Sequence, residues 1–282
     1  MVARRDFRKF NARRDDREGI ASVIGVIFAL MIFMTLLALL VTSFVPAWEK
    51  GNELDFSNVA RSQMGQVKGY VMDLKTQGDE RYVPFQTAPS PVPLFGRPYW
   101  GELNYSYGGD GASVMTITYG SNTEIARGSF SHRLINSHST IEVIYEHGAL
   151  ILIDGKGDDR LGIVKSPPSI SLYTSGGKQT LNITRIDMMD RNHVVTSSGT
   201  VGVRISLTQD VMSSGEPKSV TGPITITWES ANAQAWADWA VAEFGASAVV
   251  NYDESTSTTT AVFSGVDYIE HQLLNVKISM EG

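Results

Sequence analysis

Residues 20–45 read IASVIGVIFALMIFMTLLALLVTSFV, and the assignment of this run decides what the rest of the chain can be. It holds sixteen Ile, Leu, Val and Phe residues and no charged one. At about 1.5 Å per residue a helix over it measures roughly 39 Å, longer than the ~30 Å hydrocarbon core of a bilayer. Each of those side chains contributes about −0.3 to −0.6 kcal/mol to insertion, which outweighs the few Ser and Thr hydroxyls. The segment is expected in lipid, or at the centre of a bundle of its own copies.

The flanks set the direction. Residues 1–19, MVARRDFRKFNARRDDREG, carry seven Lys or Arg against four Asp or Glu, a net +3 within a chain whose total is −6. A basic flank marks the cytoplasmic end of a span, so the bulk of the chain is expected outside. The length of 282 residues suffices for one large domain or two small ones beside the span. The composition indicates neither disorder nor a nucleic-acid partner. There is no Cys, which removes disulfides, thiolate catalysis and Cys-ligated metal together. Two sequons, Asn104-Tyr-Ser106 and Asn182-Ile-Thr184, are candidate glycosylation sites that suit an exterior location.

Three readings fit the junction between the polar leader and the apolar run. As a secretory signal it would be cut after Val45-Pro46-Ala47, although the run exceeds the about 7 to 15 residues of such signals. As a plain membrane anchor it would not be cut at all. In the third reading the cut falls after Gly19 and the helix is kept. Gly19-Ile-Ala-Ser-Val-Ile-Gly-Val-Ile27 resembles the start of archaeal type IV pilin-like proteins, whose class III signal ends in Gly before a Ser-Pro-Val-Ile-Gly-Val-Ile type of run. The resemblance covers residues 13–48. Ala21 and Ser22 stand where that pattern has Ser and Pro, and Glu18 where a basic residue is common. Ile24 stands where bacterial pilins carry Glu, which points to the archaeal kind. The resemblance implies that a prepilin peptidase removes the leader between Gly19 and Ile20. It also implies that pilin subunits, copies of this chain or others, associate through the helix.

Pro46 lacks an N–H and crowds the carbonyl four residues back, so a kink or pause is expected between Val45 and Gly51. Beyond it Phe56, Ala60, Met64, Val67, Val71 and Leu74 recur at steps of three and four, one stripe of a helix that packs on the domain that follows. After Gly78 the texture changes to short β-branched and aromatic runs split by Gly, Pro, Ser and Asp. Residues 84–98, PFQTAPSPVPLFGRP, read as a Pro-rich connector.

Ten strands are expected between Glu102 and Trp228, among them Glu124–Ser131, Thr140–Glu146 and Val220–Trp228, and three more over 248–252, 258–263 and 267–280. Glu146-His-Gly148 and Ser175-Gly-Gly177 fall at hairpin turns. Ile141, Val143 and Tyr145 alternate with Glu142, Ile144 and Glu146, the pattern of a half-buried strand. This many strands implies two packed sheets, with Pro167-Pro168 as an internal seam. SANAQAWADWAVAEF, residues 230–244, is the one later helix, capped by Ser230, ended by Gly245, with Trp236, Trp239, Ala240 and Phe244 on one face.

The expected organisation is a leader over 1–19, a hydrophobic helix over 20–45, an amphipathic continuation over 46–78, a connector over 79–98 and a β-rich exterior over 99–282 with a helix at 230–245. The fold class is α+β, a long N-terminal hydrophobic helix continuing into an amphipathic helix packed on a mainly antiparallel β-sandwich-like ectodomain.

No chemistry stands out. His132, His138, His147, His193 and His271 form no H-x-x-x-H or H-x-H pair and read as surface or hairpin residues. Asp154-Gly-Lys-Gly-Asp-Asp159 lacks the alternating acidic order of a calcium loop and reads as a polar turn. No nucleophile elbow, P-loop or dinucleotide glycine pattern is present, and Trp228, Trp236 and Trp239 sit at core spacing rather than as a sugar platform. Catalytic residues, metal and cofactor are therefore not expected. The reading is a secreted structural subunit, minor or terminal in a filament, made at the cell membrane and displaying a β domain for surface glycan or cell contact. Against it stands an uncleaved single-pass membrane protein with an extracellular binding domain, and then an extracellular enzyme with a carboxylate pair.

Overall fold

The computed structural model describes residues 5–77, 80–93, 96, 98–108, 112–135, 141–154, 161–209 and 216–281, with side chains except at 5–21, 75–77, 161 and 209. The chain divides into two compact units, Met1–Gly51 with Val92–Arg97, and Asn52–Pro91 with Pro98–Gly282. The class is α+β, as the sequence predicts.

In the first unit helix α1 (Arg5–Leu39) runs into a π-turn, Leu40–Phe44, and helix α2 (Val45–Gln77) starts directly after it. The expected pause between Val45 and Gly51 does not occur. The distortion lies one turn earlier, where the Val45 N–H donates to the Leu40 carbonyl five residues back. Widening that turn makes room for the Pro46 ring, whose missing N–H is tolerated in the first turn of α2.

Among the described residues the second unit contains the rest of α2, seventeen strands and helix α3 (Ala233–Phe244). The strands are β1 (Arg81–Gln86), β2 (Trp100–Ser106), β3 (Val114–Tyr119), β4 (Asn122–Arg127), β5 (Ser129–Ile135), β6 (Ile141–Glu146), β7 (Ala149–Asp154), β8 (Leu161–Ser166) and β9 (Ile170–Ser175). They continue with β10 (Lys178–Met188), β11 (His193–Ser197), β12 (Thr200–Gln209), β13 (Lys218–Ser219), β14 (Ile224–Glu229), β15 (Val249–Asp253), β16 (Thr258–Phe263) and β17 (Tyr268–Glu281).

They form three sheets, not the two expected. The first has the order β1-β12-β17-β10-β9 with β13 also on β17, the second β11-β2-β5-β6-β7-β8, and the third β15-β16-β14-β3-β4. Among the described residues β10 and β17 pair in parallel, and the other pairs are antiparallel.

Three sheets make two cores. In one, the α2 stripe Phe56, Ala60, Met64, Val67, Val71 and Leu74 packs with Val83 and Phe85 of β1, Tyr105 of β2, Phe130 of β5, Tyr145 of β6 and Val276 of β17. All six stripe residues are 3 % exposed or less, so the period read from the sequence is the one that is buried. Burying six such side chains is worth on the order of 10 kcal/mol, an upper estimate because the unfolded chain hides some of them too. Lys68, on another side of α2, donates from Nζ to Ser166 Oγ at 2.7 Å and to the Pro167 carbonyl, and burial lowers its pKa.

The second core joins β3, β14 and β16 to α3 and to Ile144, Ile151 and Ile153. Strand β6 is therefore covered on both sides, with Ile144 at 8 % and Glu146 at 1 % exposure, and is not the half-buried strand its alternation suggests. The third sheet and α3 supply the second cover.

Other departures are local. Residues 81–86, expected to lie in the connector over 79–98, form β1, and Pro84 is tolerated because β1 is an edge strand. The predicted strand Glu124–Ser131 is two strands in different sheets, broken at Gly128 with φ +101°, where a Cβ would lie 2.6 Å from Met188 Cβ. The predicted Val220–Trp228 strand begins only at Ile224, and β11 has no counterpart in the sequence reading. Pro167 and Pro168 lie between β8 and β9, which belong to different sheets. Helix α3 starts at Ala233 rather than Ser230. Ser230 Oγ accepts the Asn232 N–H at 2.9 Å, and the Ser230 carbonyl accepts the Ala233 N–H at 3.0 Å.

Candidate functional site

The most unusual surface is the helical stretch from Ser22 to Phe44. Fifteen large apolar side chains between Val23 and Phe44 are 41–66 % exposed. The helix over Ser22–Leu74 contains one segment long and apolar enough to cross a membrane. Two of its hydroxyls are satisfied within the helix, Thr35 Oγ1 donating to the Met31 carbonyl and Thr42 Oγ1 to the Ala38 carbonyl, each at 2.7 Å. Trp48, just past the run, is 58 % exposed. Gly19 and Ile20, the candidate processing pair, lie among residues whose side chains are outside the described set.

The polar groups of the β-rich unit gather where its elements meet. The β6–β7 hairpin turns through His147 (φ +47°) and Gly148 (φ +85°), the geometry of a tight two-residue turn. His147 is fully buried, and its Nε2 lies 2.7 Å from Ser113 Oγ. The carboxylate of Glu146, also buried, accepts the Trp236 indole N–H at 2.7 Å and an Asn232 amide N–H at 3.1 Å. These bonds clamp α3 to the hairpin. Trp236 then stacks on Trp228, centroids 5.2 Å apart, and both are completely buried, as their spacing predicts. Trp239, half-buried, meets both edge-on. A serine hydroxyl beside an imidazole is the start of a nucleophile and base pair. Here Ser113 is 3 % exposed and, among the described residues, His147 Nδ1 has no hydrogen-bond partner, so none of them completes such a pair with an orienting carboxylate. Burial pushes the His147 pKa down to about 4, opposed by the Glu146 carboxylate.

His132 is the counterpart in the other core. Its Nε2 donates to the Thr87 carbonyl at 3.1 Å, and its ring meets Phe56 and Phe85 edge-on. Burial holds its pKa near 4. His271 lies where β17 faces β3, with Nε2 3.2 Å from Tyr119 Oη and 3.0 Å from Lys218 Nζ. Its pKa is lowered by burial, then by the Lys218 and Arg185 charges. The expectation of surface or hairpin histidines therefore fails at His132 and His271, and His147, although in a hairpin turn, is buried there. His193 is exposed and His138 lies outside the described residues. Two of the buried ones leave a trace in the sequence, since His132 shares the inward side of β5 with Phe130 and Leu134, and His271 follows Ile269 by two on β17. His147 leaves none.

The sequons fall within strands. Asn104 is half-buried on β2, opposite Val194 and Ser131. Asn182 is half-buried on β10, where its Nδ2 donates to Glu270 Oε2 at 3.1 Å. Of the acidic turn 154–159 only Asp154 is described, exposed at the end of β7. Among the described residues no three His, Asp or Glu side chains gather at metal-binding range. Comparison of the chain with protein-family models, curated proteins and solved structures finds no match in any of the three.

Proposed function

We propose that this chain is a pilin-like structural subunit of the archaeal kind, inserted in the cell membrane through residues 20–45 and released from its leader between Gly19 and Ile20 by a prepilin peptidase. Its helix leaves lipid for a filament core in which neighbouring helices replace acyl chains as the apolar surroundings. The β-rich unit is then carried on the outside for adhesion or surface contact, and its bulk suits a minor or terminal subunit. One observation carries the reading, the exposure of apolar side chains all along Val23–Phe44 beside a β-rich unit that fills its own cores. The Gly19 junction supports the choice of partner.

The amino-terminal residue of protein recovered from its own cells tests it. Ile20 at the terminus, with detergent-extracted material sizing as assemblies, is the expected result. Residues 1–19 still attached on a monodisperse monomer would leave a single-pass membrane protein instead. A terminus at Trp48 would mean that the helix is discarded and the outer unit diffuses freely.

A further inference from the structure

Val92 and Pro93 belong to the same compact unit as the apolar helix, although Pro91 and Pro98 near them belong to the other. Val92 is 4 % exposed. With Pro93 it forms one wall of a groove of about 370 Å³ whose other wall is Leu40, Phe44, Val45 and Trp48. Nearly all of that lining is apolar.

Helix geometry gives the groove a depth. About 30 Å of hydrocarbon takes up roughly twenty helical residues, so a span that starts where the uncharged run does, at Ile20, reaches its far boundary near Leu40. The groove straddles that exit, and the exposed Trp48 indole stands where aromatic anchors meet the headgroups. Backbone at this level is tolerated only when its polar groups are satisfied. Pro93 has no N–H to satisfy, and the Val92 carbonyl accepts the Gly96 N–H at 2.9 Å.

We infer that Val92 and Pro93 make a second lipid contact, the groove they form with Leu40, Phe44 and Trp48 taking an acyl chain at the outer boundary of the hydrocarbon core. The membrane then holds this chain by a loop as well as by a helix. The inference rests on the reading above that the helix spans a bilayer, and its occupant is lipid because the groove continues the lipid-facing surface of that helix.

The chain has no Cys, so single labels can be placed cleanly. The full chain carrying V41C, P93C or S255C is labelled with a nitroxide in phosphatidylcholine vesicles, and its accessibility to oxygen and to a water-soluble nickel chelate is measured. The labels at 41 and 93 are expected to be relaxed by oxygen and to respond to nickel several-fold less than the label at 255, in an exposed turn. A label at 93 that follows 255 while 41 stays shielded overturns the lipid contact alone. Nickel access at both 41 and 93 overturns the spanning helix and the contact together. A label at 93 reached by neither agent means that another copy covers the groove, which also overturns the lipid contact. Should P93C alter the circular dichroism, V92C, on the same wall of the groove, is read with the same expectations.

Discussion

Two helical stretches of this chain are rich in apolar residues and meet opposite surroundings. Between Val23 and Phe44 apolar side chains point in every direction and most remain exposed, whereas Phe56, Ala60, Met64, Val67, Val71 and Leu74 form one stripe that is 3 % exposed or less. The amount of apolar surface does not decide this. A single stripe can be covered by one domain, and here β1, β2, β5 and their neighbours cover it. A helix apolar all round demands surroundings on all sides, which lipid or other helices provide and a single β body does not.

The sharpest way to break that contrast is to put a charge on the stripe. Val67→Asp buries a carboxylate without a partner and should cost about 4 kcal/mol or more in denaturant unfolding of the detergent-solubilised chain. A loss under about 1 kcal/mol would mean that the stripe is not held against the sheets.

Acid tests the same contact through His132, whose ring lies on Phe56 of the stripe. The native chain holds His132 and His147 near pKa 4 against an ordinary 6.5, so the unfolded chain binds more protons between those values. Their contribution to stability is complete above about pH 6.5, declines as pH falls towards 4 and changes little below that. At about 1.4 kcal/mol per pKa unit, His132 alone accounts for roughly 3 kcal/mol. Urea midpoints at several pH values should fall across this window, and less steeply in His132→Gln. An unchanged slope in that variant would place the proton uptake elsewhere.

Gly101→Ala tests how tightly β1 is drawn to the second sheet, because a Cβ at 101 would lie 1.7 Å from the Thr87 carbonyl oxygen. A loss of about 3 kcal/mol in the same unfolding assay is expected, and a neutral result would show that the Thr87 turn yields freely. Leu36→Ala is the smallest effect. At 61 % exposure its loss should move the unfolding midpoint of the β-rich unit by less than about 0.5 kcal/mol. A larger shift would show that the β-rich unit depends on that side chain.

How much of this the sequence discloses follows from the range of each cause. The stripe of α2 and the Trp236 side of α3 are local periodicities, and both are legible. The Ser175-Gly-Gly177 and Glu146-His-Gly148 turns are legible because φ > 0 demands particular residues at once. What fails depends on distant chain. Ile144 and Glu146 look outward until the third sheet and α3 are laid over them. Strand β1 hides behind Pro84, and the break at Gly128 is imposed by Met188, sixty residues on. In the candidate site the apolar span is plain in the sequence, but the groove of Trp48 with Val92 and Pro93 is not, since nothing local sets that loop against Leu40 and Phe44.

The placement of β17 has a consequence for how this molecule comes into being. Residues 268–276 pair with β10 and residues 275–281 with β12, so the interior of the first sheet is filled by a segment that is synthesised after both of its neighbours. Until it arrives, β10 and β12 have no strand between them, and long-range pairings of this kind form slowly. The β-rich unit therefore stays incomplete until β17 is made, with β10 and β12 unsealed until it lies between them.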